Sequence, residues 1–242
     1  MSTPNTPGTP GTPQETAVLF DLDGTLLDTP GAIVSVLDKV LAESGRPVPS
    51  PERVRATVGR PLAAVFAELL ELEQEHGEVE RSVARFRELF REDVVPGARS
   101  LIFPGVPELL ERLRAQGLAL AIVTSKIRPS ALELLEPAGL VHHFDAVVCH
   151  GMAPRGKPHP DLALLAAREL GREPGDCVVV GDAVDDMRMA GAAGMRALGV
   201  AYGVATAGQL TSAGAESVSE SVLALGEALG SLRSSAAITH RS

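Results

Sequence analysis

The sequence has few aromatic side chains. Tryptophan is absent, tyrosine occurs once and phenylalanine six times, so aromatic residues hold 3% of the 242 positions. The core is left to Ala, Val and Leu, and stacking platforms of the kind that bind single-stranded nucleic acid are nearly missing. Positive charge is also short: 22 Lys and Arg stand against 31 Asp and Glu, a formal net charge of -9. That balance opposes nucleic acid or an anionic membrane as a partner, because both require a basic surface. Lysine is the scarcer cation, with 3 copies beside 19 arginines, which reads as GC-rich coding bias and makes each lysine worth inspecting. The two cysteines, Cys149 and Cys177, lie inside apolar runs, where a free thiol acts as a small hydrophobe. The opening MSTPNTPGTPGTPQET has neither a basic region nor an apolar stretch, and no apolar run approaches membrane-spanning length. A cytoplasmic protein is expected, with no membrane and no nucleic-acid partner.

What the chain does have is alternation. The first strand, opening 17-AVLFDLDGTLLDT-29, is followed much later by a helix near 105–116 and strand 118-LALAIVT-124. Helix 129–137, strand 145-DAVVCH-150, helix 159–171, strand 177-CVVVGD-182, helix 184–193 and strand 196-RALGVA-201 come next, with a last helix near 219–230. Repeated β-α-β specifies a parallel sheet with helices on both faces. Four helical patterns, 31–45, 51–58, 61–77 and 79–93, interrupt the alternation after the first strand. The fold class is therefore α/β, a Rossmann-like parallel sheet with an inserted helical block. An insertion at a strand's carboxyl end forms a lid over a site there. The expected division is a disordered tail over 1–15, a core over 16–29 and 96–232, a helical cap over 30–95 and a frayed end over 233–242.

Strand ends carry the chemistry. In 17-AVLFDLDGTLLDT-29 an apolar run meets Asp21 and Asp23, at the strand end where ligands of open α/β sheets sit. The pair reads either as a turn, with Thr25 as a helix cap, or as hard oxygen ligands for a cation such as Mg²⁺, which requires a third carboxylate elsewhere. The second strand ends in 124-TSK-126, with hydroxyls on Thr124 and Ser125 and Lys126 beside them. After the third, 156-GKPHPD-161 frames Lys157 between Gly and Pro, and the fourth ends in 178-VVVGDAVDDM-187. There Asp182 supplies the required acid, Asp186 follows one helical turn later, and Asp185 points away from both. Taken singly these motifs also suit caps and helix starts, but acid, hydroxyl, cation and acid recur in order at four strand ends.

With 21-DLDGT-25, Thr124 or Ser125, Lys157 and 181-GDAVDD-186, the chain resembles the haloacid dehalogenase superfamily over about residues 16–230. The resemblance implies a Rossmann-like core with a helical C1-type cap, and Asp21 as a nucleophile that forms an aspartyl-phosphate. It makes Asp23 the general acid and later the base. Mg²⁺ would be held by Asp21, the Asp23 carbonyl and Asp182, with Lys157 and Thr124 on the phosphoryl oxygens. Asp186 would position metal waters or Lys157, and Thr25 would hold the loop in shape. An acid at position 23 points to phosphate transfer over dehalogenation.

Within the superfamily, 29-TPGAIVSVLDKVLAESGRPVPSPERVRATVGRPLAAVF-66 looks like phosphoglycolate phosphatase-like caps. The expected substrate is a small-molecule phosphate monoester. Substrate contacts are expected from Thr25, Ser125, and Gly59 and Arg60 of 58-VGRPL-62, where a guanidinium suits a carboxylate or a second phosphate. A phosphosugar mutase, an inorganic pyrophosphatase, a phospho-accepting signalling domain and a non-catalytic binding protein are the competing readings. Monomer and homodimer are both open. His142, His143, His150 and His159 lack the spacing of a zinc site and read as loop residues, with His159 near the site entrance. The glycines of 191-GAAGMRALG-199 read as a helix end.

Overall fold

The computed structural model describes residues 17–45, 49–50, 53–54 and 57–239. The expected tail over 1–15 lies outside them, as do the last three residues and part of the predicted helix 51–58, of which Arg53 and Val54 are helical. Six parallel strands form one sheet: β1 (Ala17–Phe20), β2 (Ala119–Thr124), β3 (Ala146–Cys149), β4 (Cys177–Gly181), β5 (Arg196–Val200) and β6 (Ser217–Ser219), in the order β3-β2-β1-β4-β5-β6. Phe20 registers with Ile122 on one side and Val180 on the other, so β1 is central. Its run of four buried apolar residues is what a strand covered on both faces requires.

Side chains alternate between two cores. One face carries Val18, Phe20, Ile122, Val178 and Val180 under α4 (Val106–Ala115), α5 (Arg128–Ala138) and α9 (Val222–Thr239). The other carries Leu19, Ala121, Val123 and Val179 under α6 (Asp161–Glu169), α7 (Val184–Ala192) and α8 (Ala207–Ser212). Small residues dominate the second interface, with Ala163, Ala166, Ala167 and Ala190 buried there, which lets helices lie close on the sheet. Cys149 and Cys177 are free and buried, one on each face, and burial pushes both thiols up to about 11.

Between β1 and β2 the chain builds α1 (Pro30–Glu43), α2 (Leu62–Leu70), α3 (Gly77–Asp93) and a 3₁₀ segment Val95–Leu101 before entering α4. This block shares its apolar cluster with the first face of the sheet. Its two crossings are tied together. Asp28 N–H donates to Leu101 O at 2.7 Å, Phe103 N–H donates to Leu26 O at 3.1 Å, and Leu27 bridges antiparallel to Ile102.

The helix predicted over 61–77 ends instead at Leu70. Glu71 takes a left-handed conformation with φ 57° and Leu72 N–H reaches back to Ala67 O at 2.9 Å, closing the helix in the manner of a C-cap. The reversal sets α3 against α2 through the edge-on pair Phe66 and Phe86. The last helix runs to Thr239, beyond the expected end near 230. Two elements fall outside the sequence reading. β6 has three residues, too few to show a period, whereas α8 opens on a capping box of Thr206 and Gln209, a legible signal. Gly194, with φ 70°, turns the chain out of α7 into β5, as expected for the Gly-rich segment. Among the described residues no helix is long and apolar enough to cross a membrane.

Candidate active site

Asp21 continues the β1 ladder, its N–H donating to Val180 O at 2.9 Å. Leu22 then turns into the core, so Asp21 and Asp23 emerge together, 6% and 7% exposed. Gly24 follows at φ 81°, and a Cβ there would overlap Asp182 Oδ2, so that position admits no other residue without displacing the neighbouring strand end. The turn closes through Gly24 N–H to Leu27 O at 2.8 Å. Thr25 Oγ1 donates to Asp182 Oδ1 at 3.0 Å, and Val204 N–H donates to Asp182 Oδ2 at 2.8 Å. Tyr202 Oη donates to Thr25 O at 3.1 Å, and the loop stays in shape through these bonds.

Lys157, its side chain 4% exposed, places Nζ 2.5 Å from Asp21 Oδ1 and 2.6 Å from Asp186 Oδ1. Asp186 Oδ2 accepts the Ala183 N–H at 3.1 Å, which fixes that carboxylate at the start of α7. Gly181 makes room for it, since a Cβ there would overlap Asp186. Oxygens of Asp21, Asp182 and Asp186 lie within 4.8 Å of one another. Three buried carboxylates face one ammonium.

The electrostatics follow. Burial, then Asp186 and Asp23, push Asp21 up to about 7, with Lys157 acting against them. Asp182 is raised well above the carboxylate range by burial and by Asp21 and Asp186. Burial works against the charge on Lys157, but Asp186 and Asp21 outweigh it and hold the ammonium above its usual range. A set of hard oxygens with uncompensated negative charge fits a divalent cation of the Mg²⁺ kind, which would offset the carboxylate repulsion that adds to burial in both shifts.

Asp23 has partners of its own. Thr29 Oγ1 donates to its Oδ1 at 2.5 Å and Lys126 Nζ lies 3.1 Å from Oδ2. The Asp23 carboxylate, held by these two partners, stands outside the cluster formed by oxygens of Asp21, Asp182 and Asp186. Asp186, read from sequence as a neighbour of the metal set, stands inside the acidic cluster while also holding Lys157. Asp185 turns out toward Arg188, 3.8 Å away. Thr29 is missed by sequence reasoning, since it lies beyond a turn whose path is not local.

Thr124 is buried at the end of β2. Its hydroxyl accepts the Lys126 N–H at 3.2 Å, which leaves its proton free to donate. Ser125 and Lys126 reach a cavity of about 310 Å³ that opens from Asp23 into the helical block. Gly59 and Arg60 line it too, and Arg60 Nη1 donates to Glu68 Oε2 at 2.7 Å. Ile33, Leu37, Val65, Phe86 and Phe90 form apolar wall, and Lys126 Nζ sits 4.8 Å from the Phe90 ring centroid. Two polar atoms at this wall, Arg87 Nε and His150 Nδ1, are buried without a hydrogen-bond partner. An unsatisfied buried donor costs on the order of 1–3 kcal/mol. Among the described residues no histidine joins a metal-type cluster, and it is His150, not the exposed His159, that lines the cavity.

The family model for haloacid dehalogenase-like hydrolases matches residues 18–200. The chain is 44% identical over 196 residues to the probable phosphatase IndB of Dickeya dadantii, covering 81% of this chain and 85% of that one. It is 32% identical over 191 residues to phosphoglycolate phosphatase 1 of Pseudomonas aeruginosa, covering 77% and 69%. A crystal structure of a hydrolase from Pseudomonas syringae superposes with a TM-score of 0.78 at 29% identity, covering 90% of this chain and 99% of that one. The matched span runs from β1 through β5 and takes in every strand end described above; the chain belongs to the haloacid dehalogenase-like hydrolases.

Proposed function

We propose that this hydrolase is a Mg²⁺-dependent phosphatase of small-molecule phosphate monoesters, working through an aspartyl-phosphate on Asp21. One observation carries the reading. Two acids at a single strand end have been given separate surroundings, Asp21 among Lys157 and the acidic cluster, Asp23 beside Thr29 and Lys126 at the cavity. Such a division separates a nucleophile from a proton-transfer group. The phosphatase names of two relatives agree with it.

Asp21 attacks phosphorus, forming its O–P bond as the ester P–O bond breaks. Lys157 and the Thr124 hydroxyl neutralise the phosphoryl oxygens, and Asp23 gives its proton to the departing alkoxide. Water then attacks, Asp23 takes its proton, and the Asp21 O–P bond breaks to release inorganic phosphate. A cation held by Asp21, the Asp23 carbonyl and Asp182 supplies the positive charge that lets a carboxylate approach a phosphate dianion. Asp186 is a positioning residue that acts through Lys157. Substrate contacts are assigned to Gly59 and Arg60 of the helical block and to Ser125 at the end of β2, which share the cavity with Asp23.

The test is phosphate release from phosphorylated acids, sugars, nucleotides and pyrophosphate, with Mg²⁺ or EDTA, for wild type and Asp21→Asn. Release that needs Mg²⁺ and vanishes in the variant supports the mechanism. Equal release from both proteins removes Asp21 as nucleophile.

A further inference from the structure

The cavity beside Asp23 has a chemical signature of its own. Its walls are mostly apolar, while the charged side chains on it are already matched with one exception. Asp23 is paired with Lys126, Arg60 with Glu68, and Glu133 with Arg91 at 3.0 Å. Arg87, on α3 between Phe86 and Phe90, has its Nε buried without a partner, and its side chain makes no ion pair or hydrogen bond among the described residues. A guanidinium in an apolar, partly enclosed wall attracts an anion more strongly than one in water, and its planar fork fits a carboxylate. A single unmatched cation suits a monoanion better than a second phosphate dianion. The cavity, about 310 Å³, falls at the lower edge of the roughly 300–1,000 Å³ typical of ligand pockets, and is more than a two-carbon acid fills.

Resting on the phosphatase reading above, we propose that Arg87 anchors a carboxylate on the leaving alcohol. The enzyme's substrates are then phosphate monoesters whose alcohol has an apolar body, packed on Leu37, Val65, Phe86 and Phe90, and ends in a carboxylate. Arg87 thereby sets specificity from the helical block, while Lys157 and Thr124 hold the phosphoryl group from the sheet.

The experiment uses non-hydrolysable probes. Benzylphosphonate and its 2-, 3- and 4-carboxy derivatives are titrated calorimetrically into the Mg²⁺-loaded wild type, Arg87→Met and Arg87→Lys. At least one carboxylated isomer should bind wild type tenfold or more tightly than benzylphosphonate. Arg87→Met, which keeps most of the aliphatic packing, should abolish that ratio, and Arg87→Lys should retain part of it. The proposal is overturned if no carboxylated isomer outbinds the parent, or if the ratio survives in Arg87→Met. Phenyl phosphate turnover by the wild type separates the two readings. Preference without turnover keeps the anchor and rejects the phosphatase, whereas turnover without preference does the reverse.

Discussion

Asp21 and Asp23 have the same side chain, two positions apart, and the structure gives them different surroundings. The difference lies in Thr29 and Lys126, which hold Asp23 at the cavity, and in Lys157, which holds Asp21 in the acidic cluster. Asp23→Asn should therefore slow turnover of alkyl phosphates by about 10²–10⁴-fold, the usual worth of a positioned acid or base. With p-nitrophenyl phosphate, whose leaving group needs no proton, the same variant should release a burst of one equivalent of nitrophenol and then stall. Rapid-quench kinetics read the burst, and its absence would separate Asp23 from hydrolysis of the intermediate. Gly24→Ala faces both a φ of 81° and an overlap with Asp182. It should lower stability by more than ~1 kcal/mol and abolish Mg²⁺-dependent turnover, checked by thermal melting and phosphate release. The residues of the site differ in how plainly the sequence shows them. Asp21 and Asp182 are legible because each stands at the end of an apolar strand run, Lys157 because Gly156 and Pro158 frame it, and Asp186 because it follows Asp182 by one helical turn. Thr29 and Arg87 are not: one is placed by a non-local chain crossing, and the other is one of 19 arginines on an ordinary helix face.

At the scale of elements, five of the six strands and most helices follow from apolar period and punctuation. The exceptions have physical causes. Helix α2 stops because Glu71 adopts a left-handed turn that the mostly polar run 71–76 permits but does not announce, and β6 is an edge strand of three residues. The stop matters, because it allows α3 to fold back and present Phe86, Arg87 and Phe90 to the cavity. Phe86 packs edge-on to Phe66 and stacks on Phe90 at 5.6 Å. Phe86→Ala should cost about 3–5 kcal/mol, the usual range for a buried aromatic, and raise KM for the best substrate. Urea unfolding and steady-state kinetics check the two parts separately. An unchanged KM would place Phe86 in the packing of the helical block alone.

For the whole molecule, the buried acidic cluster is a source of instability that a bound cation would relieve. Folding raises Asp21 from 3.8 to about 7 and raises Asp182 as well. A group raised in this way contributes stability below its unfolded value and loses it as pH climbs through the folded one. Across about pH 4 to 7 the cluster therefore works increasingly against the metal-free fold, and Mg²⁺ has more repulsion to relieve as protons leave. The Tm gain from Mg²⁺ should be larger at pH 8 than at pH 5, and Asp182→Asn should raise the metal-free Tm. For a chain of this size, about 2–4 °C corresponds to 1 kcal/mol. Scanning calorimetry at both pH values decides, and a Mg²⁺ effect independent of pH would mean that the cation binds elsewhere. The two crossings between sheet and helices have a mechanical consequence. Stitched edge to edge at Asp28 with Leu101 and Leu26 with Phe103, they make a strap in place of two independent tethers. A strap bends easily across its face and resists shear in its plane, so displacement of the helical block relative to the sheet is restricted to bending about one axis, and sliding of the cavity's two walls past each other is opposed.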